Sequence, residues 1–148
     1  MTPQIFLDFN GVLDSSRGHY GGINFDPSCV DAFNSIAKKY PADIIVISSW
    51  RLNYSVNELQ QILTRNRLIG TVIGKTPEIL GFNSTRGDEI YEWRSQHGPH
   101  NAPMLILEDY ADVDPFEEFC VRPKPHVGLS ASDVPRALSI LKKQVENQ

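Results

Sequence analysis

Apolar positions along the chain fall into short runs that alternate with helical stripes. Ile5 to Phe9 is a compact apolar strand candidate that runs straight into Asn10-Gly11, where glycine favours a turn just after Asp8. Ala42 to Ser48 contains the continuous run Ile44-Ile45-Val46-Ile47, the pattern of a strand buried on both faces and therefore of a parallel sheet. Leu68 to Ile73 reads as a further short strand, with Gly74-Lys75-Thr76-Pro77 breaking it. Met104 to Leu107 forms another apolar run ending in Glu108-Asp109, and Phe119 to Val121 suits a last short strand.

Between these runs the period changes to that of helices. Asp26-Pro27 is a cap and first-turn pair for a helix to Tyr40, on which Val30, Phe33, Ile36 and Ala37 share one face. A second helix spans about Ser55 to Asn66 with Leu59, Ile62 and Leu63 inward. A third, capped by Ser84 or Thr85, runs from Arg86 to about Gln96 with Ile90 and Trp93 inward. Asp133 to about Val145 closes the chain with Val134, Leu138, Leu141 and Val145 about a turn apart. Strands alternating with helices over short connections predict a three-layer, Rossmann-like α/β domain with a mainly parallel central sheet. Residues 1–148 fit one domain, with room for little or no cap.

Composition changes this picture little. The 14 basic and 18 acidic residues give a formal charge of −4, which disfavours a general polyanion coat while permitting a local basic site. Cys29 and Cys120 lack metal-ligand spacing and read as buried or idle thiols in a reducing compartment, with a disulfide as the alternative. The first residues have no basic start followed by a long apolar run, and no stretch approaches a membrane span, so the expected location is the cytoplasm, with no membrane partner.

Chemistry gathers at the strand ends, where parallel α/β sheets bind ligands. Asp8 ends the first strand, Ser48-Ser49 follows the second, and Glu108-Asp109 ends a later one. Carboxylates converging there repel each other unless a cation or donors compensate them, and Mg²⁺ is the natural candidate because it suits oxygen ligands and couples them to phosphate oxygens. A hydroxyl and adjacent backbone N–H groups beyond a strand, as at Ser48, can cradle a phosphate. Positive charge toward a transferring phosphoryl group comes from Arg86, at a helix start, or from Lys75; Arg51 either orients substrate or pairs with an acid. Trp50 is expected to pack beside the Ser48 loop, and Phe116 and Phe119 to anchor the segment after the acidic strand. His97 and His100 read as helix-end or loop residues, while His19 and His126 are candidates for a site rim.

The segment Asp8-Phe9-Asn10-Gly11-Val12-Leu13 resembles the first motif of the haloacid dehalogenase-like phosphatase superfamily. Ser48 after ADIIVIS resembles its second motif and Glu108-Asp109 after MLIL its fourth. Within that superfamily the chain is most similar to minimal-cap members such as the phosphatase-like domain of multifunctional RNA-repair proteins. That likeness rests on Ile47-Ser48-Ser49-Trp50-Arg51, on Arg86-Gly87-Asp88-Glu89-Ile90 with Trp93, and on Gly128-Leu129-Ser130 before Asp133-Val134.

The resemblance implies a Mg²⁺-dependent phosphomonoester hydrolase in which Asp8 attacks phosphorus and becomes an aspartyl-phosphate. Asp8 and the Asn10 carbonyl would bind the metal, with Glu108 or Asp109 completing the site directly or through water. Ser48 would hold a phosphoryl oxygen, and Arg86 would replace the usual motif-three lysine. The substrate would be a phosphorylated small molecule or an accessible macromolecular end, nucleic acid among them, with Gly18-His19-Tyr20-Gly21-Gly22 as a gate.

Two positions depart from the family pattern. Asn10 stands where an aspartate usually exchanges protons with the leaving group and with water, which a carboxamide cannot do near neutral pH. It fits an asparagine introduced to trap substrate or intermediate, a naturally slow phosphatase or phosphotransferase, or a regulatory or scaffold domain that binds phosphate without turnover. Glu108 replaces the commoner aspartate, and its extra methylene moves the carboxylate relative to an octahedral metal. A response-regulator-like receiver fits less well, because its paired N-terminal acids and late lysine are missing.

Overall fold

In the computed structural model, described here for residues 1–15, 24–80 and 83–148, five strands form one all-parallel sheet. The strands are β1 (Gln4–Leu7), β2 (Asp43–Val46), β3 (Thr71–Lys75), β4 (Met104–Leu107) and β5 (Cys120–Val121), in the spatial order β3-β2-β1-β4-β5. Four helices accompany them: α1 (Pro27–Lys39), α2 (Val56–Arg65), α3 (Arg86–Gln96) and α4 (Val134–Glu146). This is the Rossmann-like α/β architecture that the alternating runs predict.

The two-residue period of each strand sorts its side chains between two cores. Ile5, Leu7, Ile44, Val46, Leu105 and Leu107 join Phe33, Leu63 and Leu141 from α1, α2 and α4 on one face. Phe6, Ile45, Met104 and Ile106 join Ile90 and Trp93 of α3 on the other, where Phe6 meets Trp93 edge-on at 5.8 Å between ring centroids. Truncating a fully buried aromatic such as Phe6 to alanine costs about 3–5 kcal/mol.

Connectivity follows from this layering. The chain winds outward from β1 through α1 and α2 to β3, then returns beneath the sheet through α3 to β4 on the far side of β1. The direction of winding reverses between β1 and β4, so their carboxyl ends border the crevice where parallel α/β sheets hold ligands.

One strand differs from its sequence reading. β3 begins at Thr71 and continues through Gly74 and Lys75 instead of ending at Ile73. The register against β2 shifts between Ile44 and Ile45, so Val72 pairs with Ile44 and Gly74 with Ile45. Gly74 is an accommodation for packing, not a breaker: a Cβ there would meet Trp93 Nε1 at 3.0 Å. Leu68 precedes the strand, its N–H donating to the Leu63 carbonyl at the end of α2.

Candidate active site

Each central strand carries its ladder one residue past its end. Asp8 N–H donates to the Leu107 carbonyl at 3.0 Å and Ile47 N–H to the Leu7 carbonyl at 3.0 Å. These bonds fix Asp8 beside the carboxyl end of β4 and put Ser48 one residue beyond the position facing Asp8. Asp8, Glu108 and Asp109 each offer an oxygen, and the three atoms lie within 4.8 Å of one another.

The cluster is electrostatically uncomfortable without a cation. Burial pushes the Asp8 carboxyl up to about 6, against the pull of Arg86 and of the Phe9 N–H that donates to Oδ1 at 2.9 Å. Burial and the neighbouring Glu108 also push Asp109 up to about 6, and burial together with Asp8 raises Glu108. Glu108 Oε2 and Asp109 Oδ1 are buried and accept no hydrogen bond. Glu108 Oε2 has only the ion pair with Arg86, and three clustered carboxyl groups with unused acceptor capacity are a donor set suited to a hard divalent cation.

Arg86 is the guanidinium that reaches this cluster. Its Nε stands 3.3 Å from Glu108 Oε2, and its Nη1 donates to the Ile47 carbonyl and lies 3.8 Å from Glu89 Oε1. Two local features aim it. Thr85 and Asp88 form a reciprocal capping box that starts α3 at Arg86. Gly87 lets the helix press against the 112–114 segment, where an added Cβ would come within 1.9 Å of the Asp114 carbonyl. Lys75, the other candidate cation, is held elsewhere: Nζ donates to the carbonyls of Arg51 at 2.8 Å and Tyr54 at 3.0 Å.

Ser48 caps the short 3-10 turn Ser49–Leu52, its Oγ accepting the Trp50 N–H at 3.3 Å. Trp50 packs edge-on against Phe9 at 5.7 Å and stacks on Tyr54 at 5.8 Å, as a packing role requires. Asn10 is exposed on the turn after β1, where Gly11 adopts a left-handed φ of 82° and donates its N–H to Asp14 Oδ1 at 2.9 Å. Nothing in the sequence pattern singled out Asp14, although an acid three residues after a turn glycine is the available signal.

Arg51 pairs with an acid, the second of its two sequence readings. It is buried, with Nη2 2.6 Å from Glu89 Oε2. Its remaining N–H groups donate to the carbonyls of Ile47, Ser48, Thr76 and Pro77. Glu89 was not foreseen, since a lone glutamate inside a helix carries no mark of burial.

Other candidates fall outside the cluster. His97 ends α3 and stacks on Trp93 at 4.5 Å, and His126 lies on an exposed turn. Phe116 and Phe119 pack against the α3-side core. Cys29 and Cys120 are buried free thiols, pushed up to about 11 and about 12 by burial. The gate segment with His19 lies outside the described residues. Among the described residues no helix is long and apolar enough to cross a membrane.

Strand-end carboxylates facing an arginine at the topological switch point are an arrangement compatible with a haloacid dehalogenase-like fold. The match is specific: residues 4–134 fit the family described as the HAD domain in Swiss Army Knife RNA repair proteins, and the chain belongs to that family. Comparison with curated proteins and with solved structures gave no match.

Proposed function

We propose that the chain is a Mg²⁺-dependent phosphomonoesterase that forms an aspartyl-phosphate on Asp8 and is slowed in turnover by Asn10. The observation that carries this reading is the convergence of Asp8, Glu108 and Asp109 within 4.8 Å beside Arg86. With Arg51 and Glu89 included, the linked groups are the four carboxyls of Asp8, Glu89, Glu108 and Asp109 against the two guanidiniums of Arg51 and Arg86, an excess of two that one divalent cation balances.

Asp8, Glu108, Asp109 and the Asn10 carbonyl would hold Mg²⁺, which supplies charge neutralisation for the carboxylates and for a bound phosphoryl group. The ionised Asp8 carboxylate attacks phosphorus and forms an O–P bond, while the ester P–O bond breaks and its electron pair leaves with the alcohol oxygen. Arg86 stabilises the charge on the transferring group. Ser48 Oγ already accepts a hydrogen bond, so its hydroxyl proton is free to be donated to a phosphoryl oxygen.

Asn10 bears on both proton transfers. Its amide gives no proton to the leaving oxygen and takes none from the water that must attack phosphorus to release phosphate. A missing general acid–base group costs about 10²- to 10⁴-fold in rate. The first step tolerates this when the leaving group needs no proton; the second does not.

For the substrate we favour a phosphorylated nucleic-acid end. The family's association with RNA repair supports this. So does Tyr110, directly after Asp109 and 86% exposed, whose ring is available to a terminal base. Beyond β5, at the same end of the sheet, Lys124 and His126 are exposed on a turn closed by the bridge between Lys124 and Gly128. Lys124 offers local positive charge there on a chain of net charge −4.

The test is rapid-quench release of p-nitrophenolate from p-nitrophenyl phosphate in excess Mg²⁺. A metal-dependent burst of one product per chain followed by slow turnover supports the reading. Phosphate binding without a burst favours a regulatory or scaffold domain.

A further inference from the structure

We infer that Glu89 is a positioning residue for Arg86, and that Arg51 locks Glu89 in place. The inference rests on the reading that phosphoryl transfer occurs at Asp8.

Arg51, Glu89, Arg86 and Glu108 form a continuous chain of charge. Arg51 Nη2 lies 2.6 Å from Glu89 Oε2, Glu89 Oε1 lies 3.8 Å from Arg86 Nη1, and Arg86 Nε lies 3.3 Å from Glu108 Oε2. The two oxygens of Glu89 therefore face different guanidiniums, one on each side. Burial pushes the Glu89 carboxyl up, while Arg51 and then Arg86 pull against it. Each guanidinium favours the charged form of a carboxyl that burial disfavours.

Arg51 has no freedom to follow a displaced Glu89. At 3% exposure it donates to the Ile47 and Ser48 carbonyls beyond β2 and to the Thr76 and Pro77 carbonyls beyond β3. The fork geometry of a guanidinium makes these bonds simultaneous, which an ammonium could not reproduce. Arg51 thus ties two strand ends to α3 through Glu89, and the same carboxylate sets where Arg86 can stand.

Arg86 needs this guidance because its side chain is 21% exposed and its nearest anion, Glu108, belongs to the proposed metal site. Arg86 Nη1 also donates to the Ile47 carbonyl, so without Glu89 a single neutral acceptor is left to hold it against swinging outward to water or collapsing onto the carboxylates. In either position its charge is lost to the phosphoryl group.

The test is a double-mutant cycle on the single-turnover rate of p-nitrophenolate release in excess Mg²⁺. Glu89→Gln keeps the shape and removes the charge; Arg86→Ala removes the group through which Glu89 acts. Glu89→Gln is expected to slow release at least about tenfold alone and less than about twofold in the Arg86→Ala background. Equal slowing in both backgrounds means a role independent of Arg86 and overturns the inference. If Glu89→Gln does not fold, Glu89→Asp replaces it, since the shorter side chain cannot serve both guanidiniums, and the same non-additivity is expected. If wild type gives no burst, the phosphoryl-transfer reading fails on its own. The cycle is then read on the Kd for inorganic phosphate, where additivity again overturns the positioning role and non-additivity supports it.

Discussion

Arg86 Nε and Glu108 Oε2 lie 3.3 Å apart, joining the first turn of α3 to the carboxyl end of β4 beside the carboxylate cluster. Glu108 is 1% exposed and Arg86 is the cation nearest to it, so the pair compensates charge that would otherwise be buried alone. Arg86→Ala is expected to destabilise the metal-free protein by about 2 kcal/mol, below the cost for a fully buried pair because Arg86 is partly solvated. Urea denaturation measures this, and saturating Mg²⁺ is expected to recover part of the loss.

A pH dependence follows from the carboxyl cluster. In the metal-free protein Asp8 and Asp109 rise from an ordinary 3.8 to about 6. The folded chain therefore retains protons that the unfolded chain has released, and it loses stability as pH climbs from about 4 through 6, by about 3 kcal/mol for Asp8. Mg²⁺ must displace those protons, so its stabilisation grows across the same window. The rise in Tm on adding Mg²⁺ is expected to be larger at about pH 7.5 than at about pH 5. An equal rise at both would separate metal binding from these carboxylates.

Two glycines in or beside α3 make opposite expectations. At Gly87 an added Cβ would lie 1.9 Å from the Asp114 carbonyl and 2.7 Å from that of Val113, so Gly87→Ala must drive the helix start from the 112–114 segment. A loss of at least about 2 kcal/mol is expected, with weaker phosphate binding because Arg86 moves too. At Gly98 an added Cβ meets nothing within 4 Å, and Gly98→Ala is expected to change stability by less than about 0.5 kcal/mol. Thermal unfolding of both variants is the check.

Much of this was legible in the chain itself. The buried-strand runs announced a parallel sheet because parallel strands are covered on both faces, and acids at two run ends announced the carboxylate cluster because parallel strands bring their carboxyl ends to one edge of the sheet. β3 was misplaced because glycine signals a break locally, whereas here its missing side chain admits Trp93 from the opposite layer. Arg51 and Glu89 are separated by 38 positions and meet through contacts with three elements, which no local pattern encodes. Arg86 was the leading cation in the sequence and Lys75 the runner-up, and only tertiary contacts show Lys75 held at the carbonyls of Arg51 and Tyr54.

Tyr110 gives the substrate proposal its own check. Tyr110→Ala is expected to weaken binding of a single-stranded oligoribonucleotide carrying a terminal phosphate by about 5- to 100-fold, the range of one base–aromatic stack. Tyr110→Phe, which keeps the ring, should bind like wild type. Fluorescence anisotropy with a labelled decanucleotide reads both, and no loss in Tyr110→Ala would argue for a small ester or a phosphoprotein instead.

The most direct measurement is intact mass after acid quench of the p-nitrophenyl phosphate burst, followed by peptide mapping. A gain of one phosphoryl group per chain, on Asp8 and only with Mg²⁺, is the expected result. Asn10→Asp should restore turnover and shorten the adduct's lifetime by at least about tenfold. Product release with no adduct, or an adduct on another residue, would contradict nucleophilic attack by Asp8.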